Sequence, residues 1–137
     1  MTVAAPNVVQ GEFNSLVGCK LAEWDVDYAC VELVMDARHT NSHGIAHGGV
    51  LATVLDYACG MAGCFRPKPE LHCKCMTLSL TTNFIAPMRP GLLKARARRT
   101  GGGKSVFFSE GQITNESGNL IATASGTFRL IKPKTAK

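Results

Sequence analysis

Asp56 is the single charge in an otherwise apolar run, residues 49–64 (GVLATVLDYACGMAGC). A carboxylate among apolar neighbours is costly unless it is hydrogen-bonded, paired or used in chemistry. Held within about 3 Å of a water or a carbonyl carbon, it can serve as a general base or as a nucleophile. The plainer alternative is a helix face that happens to be wet. Just upstream stand His47, Gly48 and Gly49. Two glycines allow close backbone approach, and the unpaired N–H groups at a helix start suit a developing negative charge, the chemistry of an oxyanion hole. A bland Gly-Gly helix entry would read the same way. Spacing adds a constraint. Gly48 and Asp56 lie eight residues apart, hence about 12 Å along a helix axis at about 1.5 Å per residue. One chain cannot easily aim both at one carbonyl, whereas two antiparallel copies related by a two-fold axis can. If both groups are catalytic, the working unit is a homodimer with its sites at the interface.

The elements that must position these groups follow from periodicity. Val8, Val9, Phe13, Leu16 and Val17 recur at near-helical spacing, which predicts a short N-terminal helix within residues 1–18, ending near Gly18. Residues 20–35 read as two strands around a turn at Asp25–Asp27, or as one bent strand. Residues 36–49 form a polar loop holding His39, His43, His47 and Asn41, the kind of segment that carries sites on a rigid scaffold. His39 and His43 are read as bystanders. The run 49–64 is the one long helix, apolar nearly all round and therefore expected inside a core. After it, Met76, Leu78, Leu80, Thr82 and Phe84 alternate with Thr77, Ser79, Thr81 and Asn83, a strand closed by Ala86-Pro87. Leu93, Ala95 and Ala97 alternate with Lys94, Arg96 and Arg98, giving a strand with one apolar and one basic face. Gly101–Gly103 is a turn, and residues 104–114 and 119–131 form a hairpin about Asn115–Gly118. One helix followed by a meander of long strands predicts an α+β fold, a curved antiparallel sheet wrapped around one long central helix, in a single domain over 1–137 with a basic tail at 132–137. A sheet of this size leaves an exposed face or edge that calls for a partner subunit.

The pattern Asn41-x5-His47-Gly48-Gly49-x6-Asp56, with the later segment Thr77 to Pro87 (TLSLTTNFIAP), resembles the hotdog-fold acyl-CoA thioesterases of the phenylacetate-pathway (PaaI) type. The likeness runs from about Gly18 to Leu130. It implies the hotdog fold, a homodimer and a dimer of dimers, and hydrolysis of an acyl-CoA thioester. In that resemblance Asp56 is the nucleophile or general base, and Gly48 supplies the backbone N–H that polarises the thioester carbonyl. Asn41 helps to position water or the thioester, Thr77 is the hydroxyl residue near the carboxylate, and His47 supports the loop, with Gly49 beside it in substrate binding. No cofactor is expected, coenzyme A being part of the substrate. Two relatives by fold compete. An acyl-thioester hydratase would carry a histidine on the central helix, which this run lacks. A non-catalytic acyl-CoA-binding or regulatory protein would be expected to have lost part of the Asn41, Gly48, Asp56 and Thr77 set. Ser42, Ser79 and Ser105 lack the context of a serine nucleophile. Trp24 reads as core packing, or as the wall of an acyl pocket.

Composition bounds these readings. The chain has 137 residues, 45% of them apolar, and a formal net charge of +5, which suits one globular domain and argues against disorder. The charge is unevenly placed. Residues 1–88 hold five basic and eight acidic side chains, while residues 89–137 hold ten basic and two acidic. Such sorting suggests a phosphate-bearing partner. The resemblance makes that partner coenzyme A, with Arg96, Arg98, Arg99 and Lys104 as phosphate contacts, rather than nucleic acid, because the basic strand has no interleaved aromatics. No apolar run reaches the roughly 18 to 20 residues of a membrane span, and the N-terminus has no secretory pattern, so a cytoplasmic protein is expected. The six cysteines then read as reduced, buried or half-buried thiols. Even with His72 beside Cys73 and Cys75, the spacing lacks the second ligand pair of a structural zinc site, and no metal is expected.

Overall fold

The computed structural model describes residues 3–4, for the backbone alone, and 8–134. The start of the expected 1–18 segment and the end of the basic tail, including Lys137, lie outside the described residues. The elements are β1 (Val3–Ala4), α1 (Glu12–Val17), β2 (Lys20–Asp25), β3 (Tyr28–Met35), α2 (Gly48–Met61), β4 (Lys74–Phe84), β5 (Gly91–Gly102), β6 (Val106–Asn115) and β7 (Leu120–Ile131). Single 3-10 turns at Ala37–His39 and Pro69–Leu71 complete the chain.

Gly18, at φ 92°, stops α1 in the left-handed conformation that a glycine adopts without a Cβ clash. Asp27, at φ 58°, turns β2 back onto β3, one of the few side chains that tolerates this region. Seven strands form one antiparallel sheet in the order β1-β2-β3-β5-β6-β7-β4. β4, fourth in sequence, is therefore outermost in space, paired with β7 on one side only.

The sheet curves around α2, and the core lies between them. Leu51, Val54, Leu55, Ala58 and Cys59 of the helix are buried against β3, β5, β6 and β7. The rings of Phe107 and Phe128 stack beneath them with centroids 5.3 Å apart. Helix and sheet approach closely at Gly111 of β6. A Cβ there would stand 2.9 Å from Cys59 Sγ and 3.3 Å from Leu55 Cδ2, so only glycine fits without a shift. The expected α+β architecture, a hotdog arrangement of sheet around one long helix, is what the chain adopts. Leu93, Ala95 and Ala97 of β5 point inwards, and Arg96 and Arg98 outwards, as their alternation requires.

Two expectations need correction. The helix is not enclosed all round. Gly49, Ala52, Thr53, Asp56 and Tyr57 remain at least partly accessible, at the three- and four-residue spacing of one helix strip. A single sheet curls around only part of a cylinder, and this strip is the part it leaves uncovered. The alternation expected along β4 also breaks. Thr77 pairs with Phe128 and Ser79 with Thr127, so Leu78 is an extra residue in a β-bulge. The bulge shifts the phase. Cys75 and Thr77 face the helix before it, Leu80 faces the core after it, and Met76 and Leu78 are 56% exposed.

All six cysteines are free thiols, five of them buried. Cys64 is pushed well above the usual thiol range by its hydrogen bond with Cys75 and by burial.

Leu55→Ala removes a side chain of no accessible surface from the contact between helix and sheet. It is expected to cost about 2–5 kcal/mol of unfolding free energy, read from the denaturation midpoint at constant slope. Both tyrosines are pushed up to about 12: Tyr28 by burial and its hydrogen bond to Glu23, Tyr57 by burial and the nearby Cys19. Raised folded values mean a contribution to stability fully present below the ordinary value near 10 and lost as pH rises through 12. Absorbance titration of the native protein is therefore expected to find tyrosinate appearing only above pH 10, together with weakening of the fold.

Candidate active site

The loop before α2 is built to deliver its first turn. Asp36 accepts from the Arg38 N–H while its own N–H donates to His39 Nδ1, a reciprocal cap on the Ala37–His39 turn. Arg38 also pairs with the Asp36 carboxylate at 2.8 Å. These bonds to Arg38 hold the Asp36 carboxyl down at about 2. His39 is buried, with Nε2 donating to the Val17 carbonyl at 2.6 Å, so it is a structural residue of the loop.

Asn41 shapes the next turn. Its Oδ1 accepts from the His43 N–H at 2.8 Å, and its own N–H donates to the Ile45 carbonyl at 2.8 Å. Ala46 then donates to the Met88 carbonyl and His47 to the His39 carbonyl, which anchors the chain at the helix entry. His43 is exposed and takes part only through its backbone.

His47 is the N-cap of α2, and its Nδ1 accepts from the Gly49 N–H at 2.9 Å. An imidazole nitrogen accepts only where it carries no proton, so the bond selects the tautomer with its N–H at Nε2. Val50 and Leu51 donate to the His47 carbonyl. Of the first four helix N–H groups, only that of Gly48 has no partner among the described residues. It is a free donor at the positive end of a helix of 14 residues.

Two turns along, Asp56 lies on the uncovered strip and is partly accessible. Thr77 Oγ1 donates to Asp56 Oδ1 at 2.6 Å across from β4. This bond leaves Oδ2 open for another donor, such as a water. The sequence places Thr77 near the carboxylate only through the resemblance. In the fold the bulge at Leu78 is what lets both Thr77 and Leu80 face the helix side.

Asp56 and Thr77 sit in the wall of a cavity of about 630 Å³. Trp24, Tyr57, Gly60, Met61, His72 and Cys75 line it from the body of the protein. Trp24 thus satisfies both of its readings: it is 3% exposed, its Nε1 donates to the Met61 carbonyl at 2.7 Å, and its ring, 4.4 Å from that of His72, walls the cavity. Gly48 opens into a different cavity of about 420 Å³, with Leu51, Phe84 and Met88. Within one chain the Gly48 donor and the Asp56 carboxylate do not share a cavity, in keeping with the distance that their spacing along the helix imposes.

Sequence reading missed Tyr57, Gly60, His72 and Cys75 as cavity residues. A signal existed for one of them, since Gly60 is four residues after Asp56 and shares its helix face. The basic residues expected to meet phosphates lie elsewhere in the chain. Arg96 and Arg98 are on the outer face of β5, where Arg98 stacks 5.1 Å over the Tyr28 ring and Arg96 reaches Thr114 Oγ1 at 3.4 Å. Arg99 follows on the same strand, and Lys104 is exposed in the turn beyond it. β5 is three strands from β4, a separation of about 14 Å at about 4.8 Å per strand. Among the described residues no helix is long and apolar enough to cross a membrane.

Comparison with known proteins gives the family of the chain. A family profile described as the thioesterase superfamily matches residues 43–122, which include His47, Gly48, Asp56 and Thr77. A Pseudomonas aeruginosa protein named "Putative esterase" is 33% identical over 101 residues, 73% of each chain. The crystal form of a mutant phenylacetic acid degradation protein PaaI from Thermus thermophilus superposes with a TM-score of 0.76 at 26% identity, over 87% of this chain and 98% of that one. A thioesterase from Haemophilus influenzae superposes with a TM-score of 0.79 over 90% of this chain and 85% of its own, at 21% identity, a likeness of fold. The chain belongs to the thioesterase superfamily.

Proposed function

We propose that this protein hydrolyses acyl-CoA thioesters to the free acid and coenzyme A, as a homodimer. The observation that carries the reading is the 2.6 Å hydrogen bond from Thr77 to Asp56 at the wall of the large, mostly apolar cavity. A hydroxyl that donates to one carboxylate oxygen fixes the plane of the group, so that the other oxygen is aimed. Asp56 takes a proton from water as the water attacks the thioester carbon. The carbonyl oxygen gains negative charge, the C–S bond breaks, and the proton passes to the departing sulfur, so that the free acid and the thiol of coenzyme A leave. In the other course Asp56 attacks that carbon itself and expels the coenzyme A thiolate, which takes a proton from water. Water then hydrolyses the resulting mixed anhydride to the free acid and restores the carboxylate.

The oxyanion needs donors, each contributing on the order of 3–4 kcal/mol in comparable sites. In this reading the partner subunit's Gly48 supplies one. Three observations support the pairing. Asp56 and Gly48 open into separate cavities of one chain. The uncovered strip of α2 carries the small residues Gly49, Ala52 and Thr53, which let a second helix approach closely. β4 has a free edge beside the exposed Met76 and Leu78. Asn41 and His47 act by holding the entry to α2, and Gly49 by donating its N–H to the His47 ring. Arg96, Arg98, Arg99 and Lys104 are the assigned contacts for the coenzyme A phosphates. Arg96 and Arg98 lie on the outer face of β5, away from the cavity, and in this reading the four side chains meet substrate held by another copy, as in a dimer of dimers. No cofactor is required, because the carboxylate, water and backbone donors supply the whole reaction.

Asp56→Asn keeps the shape and removes the base. It is expected to lower kcat by at least about a hundredfold on a panel of alkanoyl- and aryl-CoAs, with released thiol measured. Thr77→Val keeps the strand and loses the hydrogen bond, and is expected to lower kcat less, by roughly tenfold. A wild type inactive on every substrate, while still binding them, would favour the non-catalytic acyl-CoA-binding alternative. An Asp56→Asn variant as active as wild type would remove Asp56 from the mechanism.

A further inference from the structure

The cavity beside Asp56 has one wall that neither the sheet nor α2 supplies. The segment around Val8, Gln10 and Asn14, running into α1, lies across it as a roof. Val8 packs against the core, and Gln10 ties the segment down at two points. Its Nε2 donates to the Cys19 carbonyl at 2.8 Å, and its Oε1 accepts from the Tyr57 hydroxyl at 3.2 Å. Tyr57 is the residue next to Asp56 on α2, so the latch joins the roof to the helix turn that bears the carboxylate.

The cavity has a direction. Asp56 and Thr77 mark one end. Met61, five residues and about 7.5 Å further along the helix, meets the Trp24 ring at the other. Among the described residues, Asp56 and Lys74 are the only carboxylate and ammonium groups on its walls. A group extending from the carboxylate towards Trp24 therefore runs past Tyr57, Gly60 and Met61 under the roof, and an uncharged chain suits that course.

We propose that Gln10 and Tyr57 are specificity-determining positioning residues: by latching the roof, they set how much of an acyl chain is taken out of water along this course. The inference rests on the acyl-CoA reading given above. Its physical basis is that each methylene leaving water contributes about fourfold in affinity, and only while the roof is closed over it.

Trp24 is the only tryptophan of the chain and lines the cavity, so its fluorescence reports occupancy. S-alkyl-CoA thioethers of increasing chain length, which cannot be hydrolysed, are titrated against the full-length wild type, Gln10→Ala and Tyr57→Phe. The readout is the gain in affinity per methylene, not the affinity itself. The wild type is expected to gain about fourfold per methylene up to a limiting length. Gln10→Ala is expected to gain less than about twofold, and Tyr57→Phe, which keeps the bond to Cys19, to fall between them. Parallel turnover with the matching acyl-CoAs should place the loss in KM for long chains rather than in kcat. Equal gains in all three proteins, or binding that leaves Trp24 unperturbed, would overturn the proposal. The two readings separate cleanly. Analogues that bind with the graded response while no acyl-CoA is hydrolysed leave the roof standing and defeat the hydrolase. Hydrolysis with a gain unaffected by Gln10→Ala does the opposite.

Discussion

A single curved sheet cannot cover the whole circumference of a helix, and the rest of this structure follows from which strip of α2 it leaves bare. Leu51, Val54, Leu55, Ala58 and Cys59 are committed to the core, where a lost methylene is felt at once because the packing is close, as at Gly111. That commitment fixes the rotation of the helix about its own axis. Gly49, Thr53, Asp56 and Tyr57 must then lie on the strip beyond the sheet edge at β4, where a carboxylate can stay hydrated without leaving the helix. Burial thus positions the chemistry indirectly: the side that cannot be wet selects the side that can.

Local order at the two ends of the site has different origins. At the helix entry it comes from a chain of short-range hydrogen bonds, through Asp36, His39, Asn41 and His47, each of which satisfies a backbone group that a loop would otherwise leave unpaired. The outcome is a helix start with one donor, the Gly48 N–H, unclaimed. Around Asp56 the order is long-range. Thr77 arrives from an edge strand 21 residues later, and it points the right way because the bulge at Leu78 changes the phase of β4. The first kind of order is cheap in chain entropy. The second depends on the sheet being complete.

Much of the fold was legible because the sequence obeys its local rules. The α1 stop at Gly18, the turn at Asp27, the two faces of β5 and the hairpin about Asn115–Gly118 all follow from side-chain type and period. The expected alternation of β4 failed where a single extra residue inverts the pattern without leaving a glycine or proline to mark it. The helix looked apolar all round because Ala52, Tyr57 and Met61 count as apolar in a periodicity, though they are only partly buried. Of the site, Asp56 and Gly48 stood out by chemistry and spacing. Tyr57, His72 and Cys75 did not, since an aromatic or a thiol beside a core reads as packing unless the opening next to it is known.

By itself the sequence determined an α+β fold with one long helix, a carboxylate on that helix, and a glycine entry to the helix too far away to serve the same carbonyl within one chain. Those are consequences of residue type, period and rise per residue, which need no knowledge of what packs where. Only the tertiary structure decided that the carboxylate lies on the uncovered strip, that Thr77 reaches it, and that a segment near the N-terminus lines the cavity beside it. These depend on contacts between residues far apart in the chain, and the geometry of such contacts is set by the curvature and register of the whole sheet rather than by any local pattern.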